Sequence, residues 1–125
     1  MPVTWADSAV SDFLPEDDTL IAARRNAAEV GGVAPVSPLT GATLRFLAAA
    51  SGARSVVEIG TGCGTSGIWL LRGMRPGGVL TTVDVEPEHQ RLARAAYLAA
   101  GWPPPPQRLS SRCLQVTHRV ARGNA

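Results

Sequence analysis

Ser55-Val56-Val57-Glu58-Ile59-Gly60-Thr61-Gly62-Cys63-Gly64-Thr65-Ser66-Gly67 is the stretch on which the fold turns. Residues 55–59 are short, β-branched and nearly continuous in apolar character, which predicts a buried parallel strand. The glycines at 60, 62 and 64 predict a tight turn, and Thr65 or Ser66 offers an N-cap for a helix through Trp69, Leu70, Leu71 and Met74. Pro76-Gly77-Gly78 closes that helix, and residues 79–85, rich in Val and Thr, predict a second strand. Strand, Gly-rich turn, helix and strand in this order form a right-handed parallel βαβ unit.

Upstream of that unit, Ser37 and Pro38 are a good N-cap and first residue for a helix to about residue 50. Its expected core face is Leu39, Thr43, Leu44, Phe46 and Leu47. An earlier helix is expected to open at Pro15-Glu16-Asp17-Asp18, where negative charge suits the helix dipole. It would bury Leu20, Ile21, Ala23, Ala27, Ala28 and Val30 and end at Gly31-Gly32. Residues 1–14 show no sustained period and read as a flexible N-terminal arm. Downstream, Pro87 opens a helix with Leu92, Ala95, Ala96, Leu98 and Ala99 on one face. Four consecutive prolines at 103–106 then lead into a Pro/Arg-rich tail in which the pattern places no third strand. The expected organisation is an α/β fold with an arm (1–14), a partial domain (15–101) and an atypical tail (102–125). The domain would hold two N-terminal helices followed by a parallel βαβα unit.

The 125 residues, 45% hydrophobic and 18% charged, have the balance of one soluble globular domain. Arg108, Arg112, Arg119 and Arg122 make the tail basic, but no aromatic residue follows Trp102, so the pattern argues against a nucleic-acid surface. Cys63 and Cys113 lie far apart without metal-ligand spacing, which fits a reducing, cytoplasmic setting. Asp7, Asp12, Glu16, Asp17 and Asp18 argue against a signal peptide, and no apolar run is long enough to span a membrane.

The glycine turn lets backbone approach a ligand closely, with the N–H groups of the helix start aimed at it. Gly62-Cys63-Gly64-Thr65-Ser66-Gly67 also has the spacing used for dinucleotides, so the glycines alone do not identify the ligand. Glu58 discriminates better. A carboxylate at the mouth of the first strand would repel a pyrophosphate, whereas S-adenosylmethionine carries no phosphate and has a cationic amino group and sulfonium. Asp84 lies 20 residues beyond Gly64, near the end of the second strand, where a carboxylate accepts hydrogen bonds from the ribose hydroxyls of either ligand. Plainer readings stand beside these: glycines serving only a turn, Glu58 paired with an arginine, Asp84 capping the last helix with Glu86, Ser66 acting as an N-cap. His89 and His118 show no partner that would make either a base, and Cys63 reads as a small filler.

The chain resembles the bacterial O-methyltransferases related to catechol and caffeoyl-CoA O-methyltransferases, especially their actinobacterial branch. The resemblance runs from about residue 15 to 101. It is carried by Val36-Ser37-Pro38, by the glycine-turn stretch from Val57 to Gly67, and by Gly78-Val79-Leu80-Thr81-Thr82-Val83-Asp84-Val85-Glu86-Pro87-Glu88-His89. It implies a Rossmann-like fold binding S-adenosylmethionine, of which this chain holds the N-terminal part. It implies that Val36 and Ser66 touch the methionine end, that Glu58, Gly60, Thr61 and Gly62 line the pocket, and that Asp84 holds the ribose. In this family a third strand brings residues around the adenine, and a fourth ends in an aspartate-rich stretch that helps bind a divalent metal such as magnesium and the acceptor hydroxyl. Residues 108–116 are faintly similar to the third strand and its turn, with a one-residue loss, and the chain ends before any counterpart of the fourth. No catalytic or metal-ligating residue is assigned.

The expected function is an S-adenosylmethionine-dependent O-methyltransferase acting on a small-molecule hydroxyl, with impaired or no catalysis by these residues alone. The alternatives are a non-catalytic donor-binding remnant or interaction module and, less favoured, an NAD-dependent oxidoreductase. Two secure strands leave sheet edges exposed, which points to homo-oligomer assembly or aggregation.

Overall fold

A computed structural model describes residues 4–105 and 112–118. The βαβ unit forms as the glycine turn predicts. Strand β1 (Ser55–Ile59) runs parallel to β2 (Val79–Val83), with Ser55 opposite Val79 and Glu58 opposite Thr82. Helix α4 (Thr65–Gly73) joins them, and α5 (Pro87–Ala99) follows β2. Two helices precede β1 as expected: α2 (Asp18–Val30) and α3 (Pro38–Ala50), the latter capped by the Ser37 hydroxyl with Pro38 in its first turn.

Several features depart from the sequence reading. Residues 1–14, read as a flexible arm, contain helix α1 (Trp5–Phe13). Thr4 and Asp7 form a reciprocal capping box, and Asp7 also accepts the Leu39 N–H at 3.2 Å, so α1 is fixed to the start of α3 by side-chain bonds rather than by an apolar stripe. Helix α2 begins later than Pro15: Asp17 is its N-cap, while Glu16 pairs with Arg24 at 2.6 Å.

The expected core faces are rotated. In α3 the buried residues are Gly41 and Ala48, whereas Leu39, Phe46 and Leu47 are exposed, because α3 lies so close to α4 that small residues form the contact. A Cβ on Gly41 would overlap the Trp69 indole, and one on Gly73 would meet the Arg45 backbone. In α5 the buried residues are Gln90, Ala93, Ala96 and Tyr97, while Leu98 is exposed.

Another departure is a further strand. β3 (Cys113–Thr117) lies in the stretch read as an unpatterned tail and pairs with β2 antiparallel, giving the order β1-β2-β3. The prolines before it are anchored by Arg94, whose guanidinium donates to the Pro104 and Pro105 carbonyls. Residues 106–111, including 108–111 of the segment similar to the family's third strand, lie outside the described residues, as do Arg119 and Arg122, while 113–116 of that segment fall within β3.

Finally, β1 is not covered on both faces. The core gathers Leu20, Ile68, Trp69, Leu71, Tyr97 and the inward strand residues Leu80, Leu114 and Val116 on one side of the sheet. On the other side Val57 is 68% exposed and Ile59 82% exposed. The helices of the described residues cover a single face.

Candidate functional site

At the C-terminal ends of the parallel strands the chain forms a cleft with about 360 Å³ of empty space. The connector of residues 33–36 makes one wall, and Gly60, Thr61, Gly62, Cys63, Thr65 and Ser66 make the other. Five sequence-predicted residues, Val36, Gly60, Thr61, Gly62 and Ser66, therefore come together in one place. The turn keeps its shape through left-handed glycines. Gly64, at φ +95°, is the N-cap of α4, and a Cβ there would press within 3.3 Å of the Ala93 Cα. Since Gly64 occupies the cap, Thr65 and Ser66 lie inside the helix and neither caps it, contrary to expectation.

The Ser66 hydroxyl instead donates to Glu58 Oε2 at 2.5 Å. Thr82, fully buried on β2, donates to Glu58 Oε1 at 2.7 Å and stands 2.8 Å from the Thr61 hydroxyl. Glu58 is thus held by hydroxyls rather than by an arginine. Burial pushes its carboxyl above the usual glutamate range; the Ser66 and Thr82 donors oppose that push, and the nearby Asp84 charge adds to it.

Asp84 flanks the cleft from the end of β2. Its Oδ2 accepts the Gly62 N–H and its Oδ1 the Glu86 N–H, both at 2.9 Å. Burial alone would raise its carboxyl. The Glu86 and Gly62 N–H groups and the His89 imidazole outweigh burial and hold it below the ordinary aspartate range. One carboxylate therefore locks the glycine turn to the second strand. It does not cap α5 with its side chain, whose N-cap is Glu86.

Sequence reasoning missed three residues near this cleft. Thr82 read only as a strand former, although a polar residue at an inward alternating position was a usable signal. Thr65 is buried, and its hydroxyl has no hydrogen-bond partner in the described structure. His89, for which the sequence shows no partner, has its Nδ1 3.7 Å from Asp84 Oδ2. His118 lies apart from the cleft with its ring against Trp102, and the Cys63 thiol is raised by burial, as befits a buried filler.

A strand-end carboxylate, a glycine turn and a second strand-end carboxylate thus lie together at one end of the parallel strands. Comparison with known proteins bears on the same residues. The sequence profile described as O-methyltransferase matches residues 16–122. The chain belongs to the O-methyltransferase family. It is 54% identical over 120 residues to a protein of Mycolicibacterium vanbaalenii named as an O-methyltransferase, covering 95% of this chain and 51% of that protein. A Mycobacterium tuberculosis protein of similar name is 50% identical, with 94% and 51% covered. Among solved structures, the O-methyltransferase of Bacillus cereus in complex with SAH superposes with a TM-score of 0.71 at 40% identity, over 79% of this chain and 46% of that one. TomG of Streptomyces achromogenes, solved with SAM and involved in tomaymycin synthesis, gives 0.71 at 33% identity, with 79% and 45% covered.

The chain spans about half the length of the curated relatives it matches. Its α/β fold is that of the S-adenosylmethionine-dependent O-methyltransferases, represented by the two N-terminal helices and the βαβ unit together with α1 and the antiparallel β3.

Proposed function

We propose that the cleft binds S-adenosylmethionine, with the methionine end between the 33–36 connector and the start of α4. The observation that carries this reading is the Glu58 carboxylate beside the glycine turn, fixed by two hydroxyl donors. A carboxylate offers about four lone-pair sites, and those two donors leave room for an ammonium. The unpartnered Thr65 hydroxyl and the first N–H groups of α4 suit the donor's carboxylate, and Val36 packs beside it. Asp84, already aligned by two N–H groups, keeps lone pairs for the ribose hydroxyls.

When bound, the donor supplies an electrophilic methyl group on a cationic sulfur. The residues of this chain bind and orient that donor, and an acceptor oxygen attacks in line, so their contribution is positioning. The acceptor is a small molecule bearing a hydroxyl, and the setting is cytoplasmic. No helix among the described residues is long and apolar enough to cross a membrane. A divalent metal does not fit these residues: among those described, no group of three or more His, Cys, Asp or Glu is placed to hold an ion.

Because the chain spans about half its relatives' length, we expect donor binding without robust methyl transfer from these 125 residues. That is the non-catalytic binding reading, and turnover of a catechol by the purified chain would overturn it. Titration calorimetry with S-adenosylhomocysteine and with NAD tests the donor site. Heat with the first and none with the second is expected; the reverse would establish a dinucleotide site.

A further inference from the structure

We propose that Thr82 is a positioning residue for the donor: its buried hydroxyl aims Glu58 at the ligand's ammonium and, through Thr61, fixes the proton order of the cleft wall. This inference rests on the donor-binding reading above.

The hydroxyl of a threonine carries one proton and two lone pairs. Thr82 spends its proton on Glu58 Oε1 at 2.7 Å. The 2.8 Å contact between Thr82 and Thr61 must then run the other way, with Thr61 donating. The order Thr61 to Thr82 to Glu58 is thereby set by the ionised carboxylate, and Ser66 closes it from the other side at 2.5 Å. Every proton in this run of hydrogen bonds points toward Glu58, so the Thr61 and Ser66 hydroxyl oxygens in the cleft lining are left with lone pairs only, and Glu58 beside them keeps its remaining ones. At this point the wall accepts hydrogen bonds from an ammonium, while the Thr65 hydroxyl and the first N–H groups of α4 remain for the ligand's carboxylate. Thr82 is suited to this task because strand register places it directly opposite Glu58 and because it is fully buried, with no water to compete.

The same order makes binding pH-sensitive. Protonated Glu58 would donate to one of its hydroxyl neighbours and lose its attraction for a cation. The ionisable groups facing it are Asp84, at the end of β2, and Tyr97, on α5, which burial keeps neutral. Asp84 alone contributes charge, and its sign makes Glu58 harder to ionise. Removing the Thr82 donor therefore moves the acid limit of donor binding to higher pH.

The test compares wild type, Thr82→Val and the pair Thr82→Ser and Thr82→Ala, which differ from each other by the hydroxyl alone. Binding of S-adenosylhomocysteine and of 5′-methylthioadenosine, which lacks the amino-acid end, is titrated from about pH 5 to 7, where a displaced carboxyl reveals itself. We expect Thr82→Val and Thr82→Ala to weaken S-adenosylhomocysteine about tenfold, as loss of a hydrogen bond to a charged group does. Thr82→Ser should stay near wild type, methylthioadenosine should be unaffected, and the acid limit should rise in the variants lacking the hydroxyl. If wild type binds and the hydroxyl-free variants bind equally well with an unchanged pH limit, the inference falls. It also falls if both ligands weaken together, which would mark Thr82 as merely structural. If wild type binds neither ligand, the donor-site reading itself fails. Should Thr82→Val not fold, the Ser and Ala pair decides.

Discussion

Glu58 concentrates the conflict between stability and binding that this site contains. Its folded carboxyl is raised, so the protonated form is favoured by folding: the associated stability is present below the ordinary glutamate range and is lost as pH rises through the folded value. At pH 7 an ionised Glu58 therefore costs stability. Glu58→Gln should leave the melting temperature at pH 7 equal or higher, with the advantage disappearing in acid, while weakening S-adenosylhomocysteine about 10- to 100-fold. Thermal melts across pH and titration calorimetry check the two halves. Asp84 has the opposite sign. Its carboxyl is lowered, so its contribution is present above the ordinary aspartate range and lost as pH falls through the folded value. Asp84→Ala strands the Gly62 and Glu86 N–H groups and should cost about 1–3 kcal/mol in urea unfolding at pH 7. Residue by residue, the site was legible where a charged or glycine residue had to sit at a strand end. Thr82 and Thr65 were not, because a threonine in a strand or at a helix start has an ordinary local explanation. Their roles depend on what stands opposite.

Among the elements, the βαβ unit and the Ser37-Pro38 helix start were readable because turn and cap chemistry is local. The faces of α3 and α5 were not. Apolar periodicity points toward Leu39, Phe46 and Leu47, yet close helix contact selects Gly41, Gly67 and Gly73, which carry no hydrophobic signal. Gly67→Ala would drive a methyl into the Tyr97 hydroxyl and should destabilise by about 1–3 kcal/mol, measured by chemical denaturation. Helix α1 was hidden because a capping box and a bond to α3 hold it. Thr4→Ala should cost about 1 kcal/mol by the same measurement, without changing ligand affinity. Strand β3 was visible only through the faint family resemblance of residues 108–116, because five residues carry too short an alternation for the pattern itself to place a strand.

At the scale of the whole molecule, β1 reads in sequence as a strand buried on both faces, and the structure leaves Val57 and Ile59 exposed on a strand that, among the described residues, pairs only with β2. An apolar strand edge of this kind recruits other chains. Val57→Lys should therefore lower light scattering at high protein concentration while leaving S-adenosylhomocysteine affinity within about twofold, since position 57 faces away from the cleft. Helices on one face among the described residues and a match to about half of each relative's length fit together: this chain carries part of an O-methyltransferase fold, the part proposed above to bind the donor. The most direct measurement is calorimetric titration of the 125-residue chain and its Glu58→Gln variant with S-adenosylhomocysteine and NAD. Saturable binding of S-adenosylhomocysteine alone, lost or severely weakened in Glu58→Gln, is the predicted result. Absence of S-adenosylhomocysteine binding by the folded wild-type chain, or NAD binding that Glu58→Gln improves, would contradict it.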